Sequence, residues 1–154
     1  MNPEDKAMDK LVSTIRRAAE FHGHLGPFLV LGVKMGLIGM KKLKIEANAR
    51  QLRIEAELPK QIPYTCTLDG LQAVTRCTFG NQKLSLKEAK SPAISTKFDA
   101  DNGEKRVFIC VKNEVLQTLM EKLQKAKGDI ATQEKLAWMI ASMPEDKLFS
   151  IKVQ

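Results

Sequence analysis

Histidine, cysteine and aromatic side chains are all scarce in this chain. Two histidines and three cysteines occur among 154 residues, with one tryptophan and one tyrosine, and aromatics make up only 5%. The cysteines (Cys66, Cys77 and Cys110) are too few, and odd in number, for a disulfide framework, so a reducing compartment is the expected setting. There are no paired C-x-x-C knuckles, no G-x-G-x-x-G turn and no G-x-x-x-x-G-K-[ST] loop, which removes the usual signatures of zinc ribbons, dinucleotide sites and phosphate cradles. The longest apolar stretch, Leu25 to Met40, is interrupted by Lys34 and falls short of the roughly 20 residues that span a bilayer. The first ten residues, MNPEDKAMDK, carry acidic groups and no apolar h-region. No membrane partner and a cytoplasmic location are the expectations.

What is present in quantity is charge and aliphatic surface. Hydrophobic residues make up 44% and charged residues 28%, a globular balance, and the formal net charge is +7. The lysines are spread over solvated faces, as in EKLQKAKG, with no Arg-rich run and no basic–aromatic interleaving. Nucleic acid is therefore disfavoured as a partner; such a composition predicts at most weak, salt-sensitive, non-specific binding. At this length folding buries roughly 70% of the chain's surface, enough for a core without disulfides. No repeat, low-complexity tract or linker divides the chain, so residues 1–154 read as one domain.

Asn2 as N-cap and Pro3 at the first helical position begin a helix whose apolar face is Met8, Leu11, Val12, Ile15, Ala18 and Ala19. The same spacing places His22 on that face. His22-Gly23-His24-Leu25-Gly26 breaks the helix, and Pro27 starts another that runs to about Lys44. Gly32, Gly36 and Gly39 inside it predict close backbone approach, in the core or at a dimer interface. Gln51–Leu58 alternates as a strand with one wet face. A short helix is expected after Cys66, with Leu68, Leu71 and Val74 buried, and then a turn over Arg76–Asn81. Strands are expected near 84–86, 94–98 and 106–111, the last two joined by an Asp101-Asn102-Gly103 hairpin. A helix capped by Asn113, another ending at Pro144, and a final strand through Phe149, Ile151 and Val153 complete the order. The order lacks regular βαβ alternation, which predicts an α+β fold with a mainly antiparallel or mixed sheet packed against helices.

The two histidines sit two residues apart at a helix break, and Cys66 and Cys77 flank one short segment. Neutral imidazole and thiolate are good ligands for zinc and related transition metals. His22 can equally be a hydrogen-bonded core histidine and His24 an exposed loop residue; Cys66 and Cys77 can equally be small apolar side chains. Cys110, in a β-branched strand run, is expected in the core. Cys66 lies just before a helix start, where unpaired N–H groups and the dipole favour a thiolate. Such a thiolate suits a metal ligand, or a nucleophile with histidine as its base. Asp69, in the first turn of that helix, can cap it or orient a liganding histidine. Cys66 and Cys77 are 77 − 66 = 11 positions apart, or ~16 Å if all of that were helix. They can share one ion only if the chain folds back before Cys77.

Phe21-His22-Gly23-His24-Leu25-Gly26-Pro27, continuing through Leu31-Gly32-Val33-Lys34-Met35-Gly36, resembles the opening motif of the FmdE-like family, named for the E-subunit of formylmethanofuran dehydrogenase. Cys66-Thr67-Leu68-Asp69-Gly70-Leu71-Gln72, followed by Cys77-Thr78-Phe79-Gly80, resembles its second signature. The likeness covers residues 10 to 115 well and the C-terminal helices more loosely. It implies an α+β domain with a His/Cys metal site, usually zinc, for which His22, His24, Cys66 and Cys77 are the matching positions. It also implies an accessory role beside a molybdenum or tungsten formylmethanofuran dehydrogenase, or in metal handling; a homodimer is plausible. Three departures stand out. Some members carry a cysteine at the position of Gly26, a small residue is common where this chain has Arg76, and longer members add a zinc ribbon whose paired cysteines are absent from this sequence.

Overall fold

The computed structural model describes residues 2–154. Helix α1 spans Pro3–His22, begun by the Asn2 side chain, which accepts a hydrogen bond from the Asp5 N–H at 2.8 Å. It ends because Gly23 takes a left-handed conformation (φ 105°) and its N–H closes on the Ala19 carbonyl at 2.7 Å. His22 is thus the last helical residue and His24 lies on the connection to the next helix. The predicted apolar stripe is buried only in part: Ile15 and Ala18 are in the core, whereas Met8 is 44% exposed.

Helix α2, Pro27–Leu43, is buried on nearly all sides and is the centre of the molecule. Strand β1 (Arg53–Leu58) follows, then helix α3 (Cys66–Thr75) and strand β2 (Leu84–Glu88). Strands β3 (Ser95–Ala100) and β4 (Lys105–Val111) form a hairpin whose turn contains Asp101, Asn102 and Gly103, all at positive φ. Helices α4 (Asn113–Ala126) and α5 (Ile130–Ser142), a short α6 (Glu145–Leu148) and strand β5 (Phe149–Val153) complete the chain. The sheet order is β2-β1-β3-β4-β5, with β1 and β2 parallel and the other pairs antiparallel. The fold is α+β with a mixed sheet. The single parallel pair, β1 and β2, is joined through α3, a crossover of the kind a parallel pair requires.

The inner face of the sheet presents Ile54, Ala56, Phe98, Val107 and Ile109 to α2 and its neighbours, and these join one continuous core. The outer face is wet, with an Arg106–Asp99 ion pair at 2.9 Å. Cys110 corrects the sequence expectation: it is exposed on this outer face, because Val107, Ile109 and Val111 take the inward parity of β4. A second correction concerns α4, where Asn113 is the first helical residue and Lys112 the cap, with no capping side chain.

Two contacts determine how the helices sit. At the α2–α3 crossing, a Cβ on Gly32 would stand 2.0 Å from the Thr67 carbonyl oxygen, and one on Gly70 would stand 2.3 Å from the Leu29 oxygen. Of the helical glycines expected to admit another backbone, Gly32 does so here, inside the core, whereas Gly36 and Gly39 make room for the side chains of Val74, Thr75 and Phe98. The Lys34 ammonium, half-buried, donates to the carbonyls of Ile140, Ala141 and Met143 (3.1, 3.1 and 2.6 Å), tying α2 to the C-terminal end of α5. Among the described residues, no helix is long and apolar enough to cross a membrane.

Candidate metal centre

Three of the four candidate residues meet. One ligand atom from each of His22, His24 and Cys66 lies within 4.8 Å of the others. His22 comes from the end of α1, His24 from the following bend, and Cys66 from the first turn of α3. The close α2–α3 crossing and the packing of α1 on α3 bring these ends together. The two imidazole rings are 4.5 Å apart between centroids and tilted by 42°.

The hydrogen bonds around His22 identify which nitrogen is free. Its Nδ1 lies 2.5 Å from Asp69 Oδ2, so Nδ1–H donates to the carboxylate, and in the neutral ring the lone pair is then on Nε2. Nε2 is buried and has no protein partner, a costly state for a polar atom that a bound cation would relieve. Asp69 is itself held by Gln72, whose amide N–H donates to Oδ1 at 3.0 Å, and Gln72 accepts from the Phe79 N–H at 3.2 Å. Partial burial, and then the neighbouring His22, pull His24 below the usual imidazole range, which keeps it neutral and able to ligate. Cys66 runs against the expectation of an acidic thiol. Burial pushes it up, the Asp69 carboxylate adds to this, and its own backbone hydrogen bond only partly offsets them. A metal ion would reverse that balance, since thiolate coordination removes the proton.

The donor set fits a divalent transition metal, zinc among them: two imidazoles, one thiol, and a carboxylate behind one imidazole. A tetrahedral zinc with bonds of about 2.0–2.3 Å needs its ligand atoms about 3.3–3.6 Å apart, so closing on an ion asks for side-chain movements of roughly 1 Å.

Cys77 is not brought to this cluster. Helix α3 runs unbroken from Cys66 to Thr75, a rise of about 13–14 Å, and Cys77 follows at its far end. There it is 1% exposed, with its thiol facing the Leu52 carbonyl at 3.8 Å and its N–H bonded to Thr75 Oγ1 at 3.1 Å. The chain does not fold back early enough for the two cysteines to share an ion.

A cavity of about 170 Å3 adjoins the cluster, with Phe28, Ile62, Leu123 and Gln133 in its wall beside His24 and Cys66. Leu123 and Gln133 come from α4 and α5, and nothing local in the sequence connects them with residues 22–66. The Gln72 bond to Asp69 had a local signal, because residues three apart share a helix face.

Comparison with known proteins bears on the family and the fold. A curated relative from Archaeoglobus fulgidus, named "Probable S-adenosyl-L-methionine-binding protein", is 29% identical over 94% of this chain. The chain spans only 43% of that relative's length. A crystal structure of a tungsten formylmethanofuran dehydrogenase FmdE-like protein from Syntrophus aciditrophicus superposes with a TM-score of 0.60 at 16% identity, covering 94% of this chain and 71% of that one; this likeness concerns the fold. The model of the family described as "FmdE, Molybdenum formylmethanofuran dehydrogenase operon" matches residues 21–150, from just before His22 to the start of β5. With both motifs and most of the fold inside that match, the chain belongs to the FmdE family.

Proposed function

We propose that this protein binds one divalent transition metal, zinc fitting best, through His22 Nε2, His24 and the Cys66 thiolate. The observation that carries this reading is the convergence of three soft donors around a buried, unpartnered imidazole nitrogen whose other nitrogen is anchored by Asp69. Three protein ligands leave a coordination position open, and a metal held this way supplies Lewis acidity there. The chain's own groups do the rest. Asp69 holds the His22 proton at Nδ1, Gln72 steadies Asp69, and the apolar wall limits water beside Cys66.

Cys77 stays outside this ligand set and serves packing. Cys66 as a free nucleophile is the weaker reading, since burial raises its thiol. The family's operon name supports an accessory role beside a molybdenum or tungsten formylmethanofuran dehydrogenase; a homodimer in the cytoplasm is part of the same proposal and rests on the sequence reading alone. S-adenosylmethionine, suggested by the relative's name, has less support: the cavity beside the cluster is small and, among the described residues, offers no charged partner for its carboxylate.

The test is metal content of the chain purified without a metal affinity column, beside Cys66→Ser and a His22→Ala, His24→Ala double variant. One equivalent in the parent, lost in both variants, is expected. A parent that takes up no metal after reconstitution overturns the reading.

A further inference from the structure

The cavity beside the cluster is bounded by elements from opposite ends of the chain. Phe28 lies in the first turn of α2, Ile62 and Pro63 precede α3, and Leu123 and Gln133 come from α4 and α5. His24 and Cys66 contribute to the same wall, so whatever occupies the space lies against the donors themselves. At about 30 Å3 per water, its 170 Å3 holds the equivalent of roughly five or six waters, or a small organic molecule.

The chemistry of the wall narrows the occupant further. Among the described residues, no Lys, Arg, Asp or Glu lines it, and Gln133 is the only polar side chain besides the metal donors. A second charge on a ligand, remote from the cluster, would find no counter-charge in the wall. The Gln133 amide can both donate to and accept from one neutral polar group.

Gly26 keeps the space open. It lies on the cavity wall, and a Cβ built there would stand 3.6 Å from His24 Nε2, in ordinary contact. A larger side chain at this position would fill the cavity without displacing the backbone of the donors.

We infer that this cavity seats a small organic molecule that presents one donor group to the cluster and an uncharged, mainly apolar body of roughly three to six carbon atoms to Phe28, Ile62 and Leu123. The inference rests on the metal reading for the donor end of the ligand, and on the wall alone for its body. It names the substrate class as one without phosphate, nucleotide or a second carboxylate.

The test uses the full chain loaded with cobalt(II), whose visible absorption reports its coordination. It is titrated with 1-propanethiol and with 3-mercaptopropionate, which share a donor and differ by a remote charge. Saturable spectral change is expected with 1-propanethiol, at an apparent Kd at least tenfold below that of 3-mercaptopropionate. Leu123→Trp is expected to weaken 1-propanethiol at least tenfold while keeping one cobalt and the parent's starting spectrum, and Gly26→Val, whose side chain also meets the His24 ring, to weaken it likewise while keeping one cobalt. Equal affinity for the two thiols, or indifference to both substitutions in folded, cobalt-loaded protein, overturns the inference. If cobalt is not taken up, the metal reading fails separately. Methyl NMR of Ile62 and Leu123 in the metal-free chain then decides the cavity: saturable shifts with 1-propanethiol support it and their absence overturns it.

Discussion

Gly32→Ala adds a single methyl group at the point where α2 and α3 touch. That Cβ would lie 2.0 Å from the Thr67 carbonyl oxygen, 2.9 Å from its carbon and 3.1 Å from Gly70 Cα. All three are backbone atoms, so no side chain can rotate away. Reaching even the 3.0 Å that real Cβ contacts respect requires 3.0 − 2.0 = 1.0 Å of separation between the helices. Overpacking costs about 1–3 kcal/mol, and a rigid backbone clash belongs at the upper end, about 3. Replacing a helical glycine by alanine returns about 1 kcal/mol of propensity, leaving a net loss of about 2 kcal/mol. For a chain of this size that lowers Tm by roughly 4–8 °C. Because Thr67 follows Cys66 directly, the same displacement moves the thiol away from the two histidines, so metal affinity falls as well. Circular dichroism melts in EDTA isolate the packing term, and chelator competition on the folded variant reads the metal term. A Gly32→Ala protein as stable as the parent in EDTA would refute the close-approach argument. Gly26→Ala, whose Cβ meets only ordinary contacts, serves as the control.

Asp69→Asn should weaken metal binding about 10–100-fold in chelator competition with the fold intact by circular dichroism, because His22 loses the anion that orients it; an unchanged Kd would contradict that role. Arg76 caps α3 at φ 64°, a conformation costing a non-glycine residue about 1–2 kcal/mol, partly offset by the greater unfolded freedom of glycine. Arg76→Gly should therefore raise stability by about 0.5–1 kcal/mol in urea titration, and a loss would show that the arginine side chain matters more than its backbone. In the native protein a thiol reagent should modify Cys110 and spare Cys77 until the chain unfolds, as peptide mapping would show. Partial desolvation of this otherwise exposed residue, helped by Glu57, holds the Cys110 thiol above its ordinary value, so its thiolate is rarer than a free cysteine's near neutrality and labelling should accelerate as pH rises. Labelling of Cys77 before unfolding would contradict its placement.

Local signals in the chain determined most of the secondary structure. Asn2 and Pro3, Gly23 and Pro27, the Asp101-Asn102-Gly103 turn and the aliphatic periods act within a few residues, so their outcomes do not depend on distant packing. The pairing of His22 with His24 is legible for the same reason, and the length of α3 foretold the difficulty with Cys77. Tertiary structure decided the rest. Cys66 is 44 positions from His22, and only the glycine-mediated crossing of α2 and α3, with α1 packed on α3, sets its sulfur beside the rings. Asp69 reads from the sequence as either a helix cap or a partner for a histidine, and only the fold, by bringing His22 from 47 positions away, selects the second. Cys110 faces solvent because strand alternation leaves the choice of face to whatever packs against the sheet, and α2 took the Ile109 side. The cavity wall joins residues 24 to 133, and a space between elements exists only once those elements have been placed.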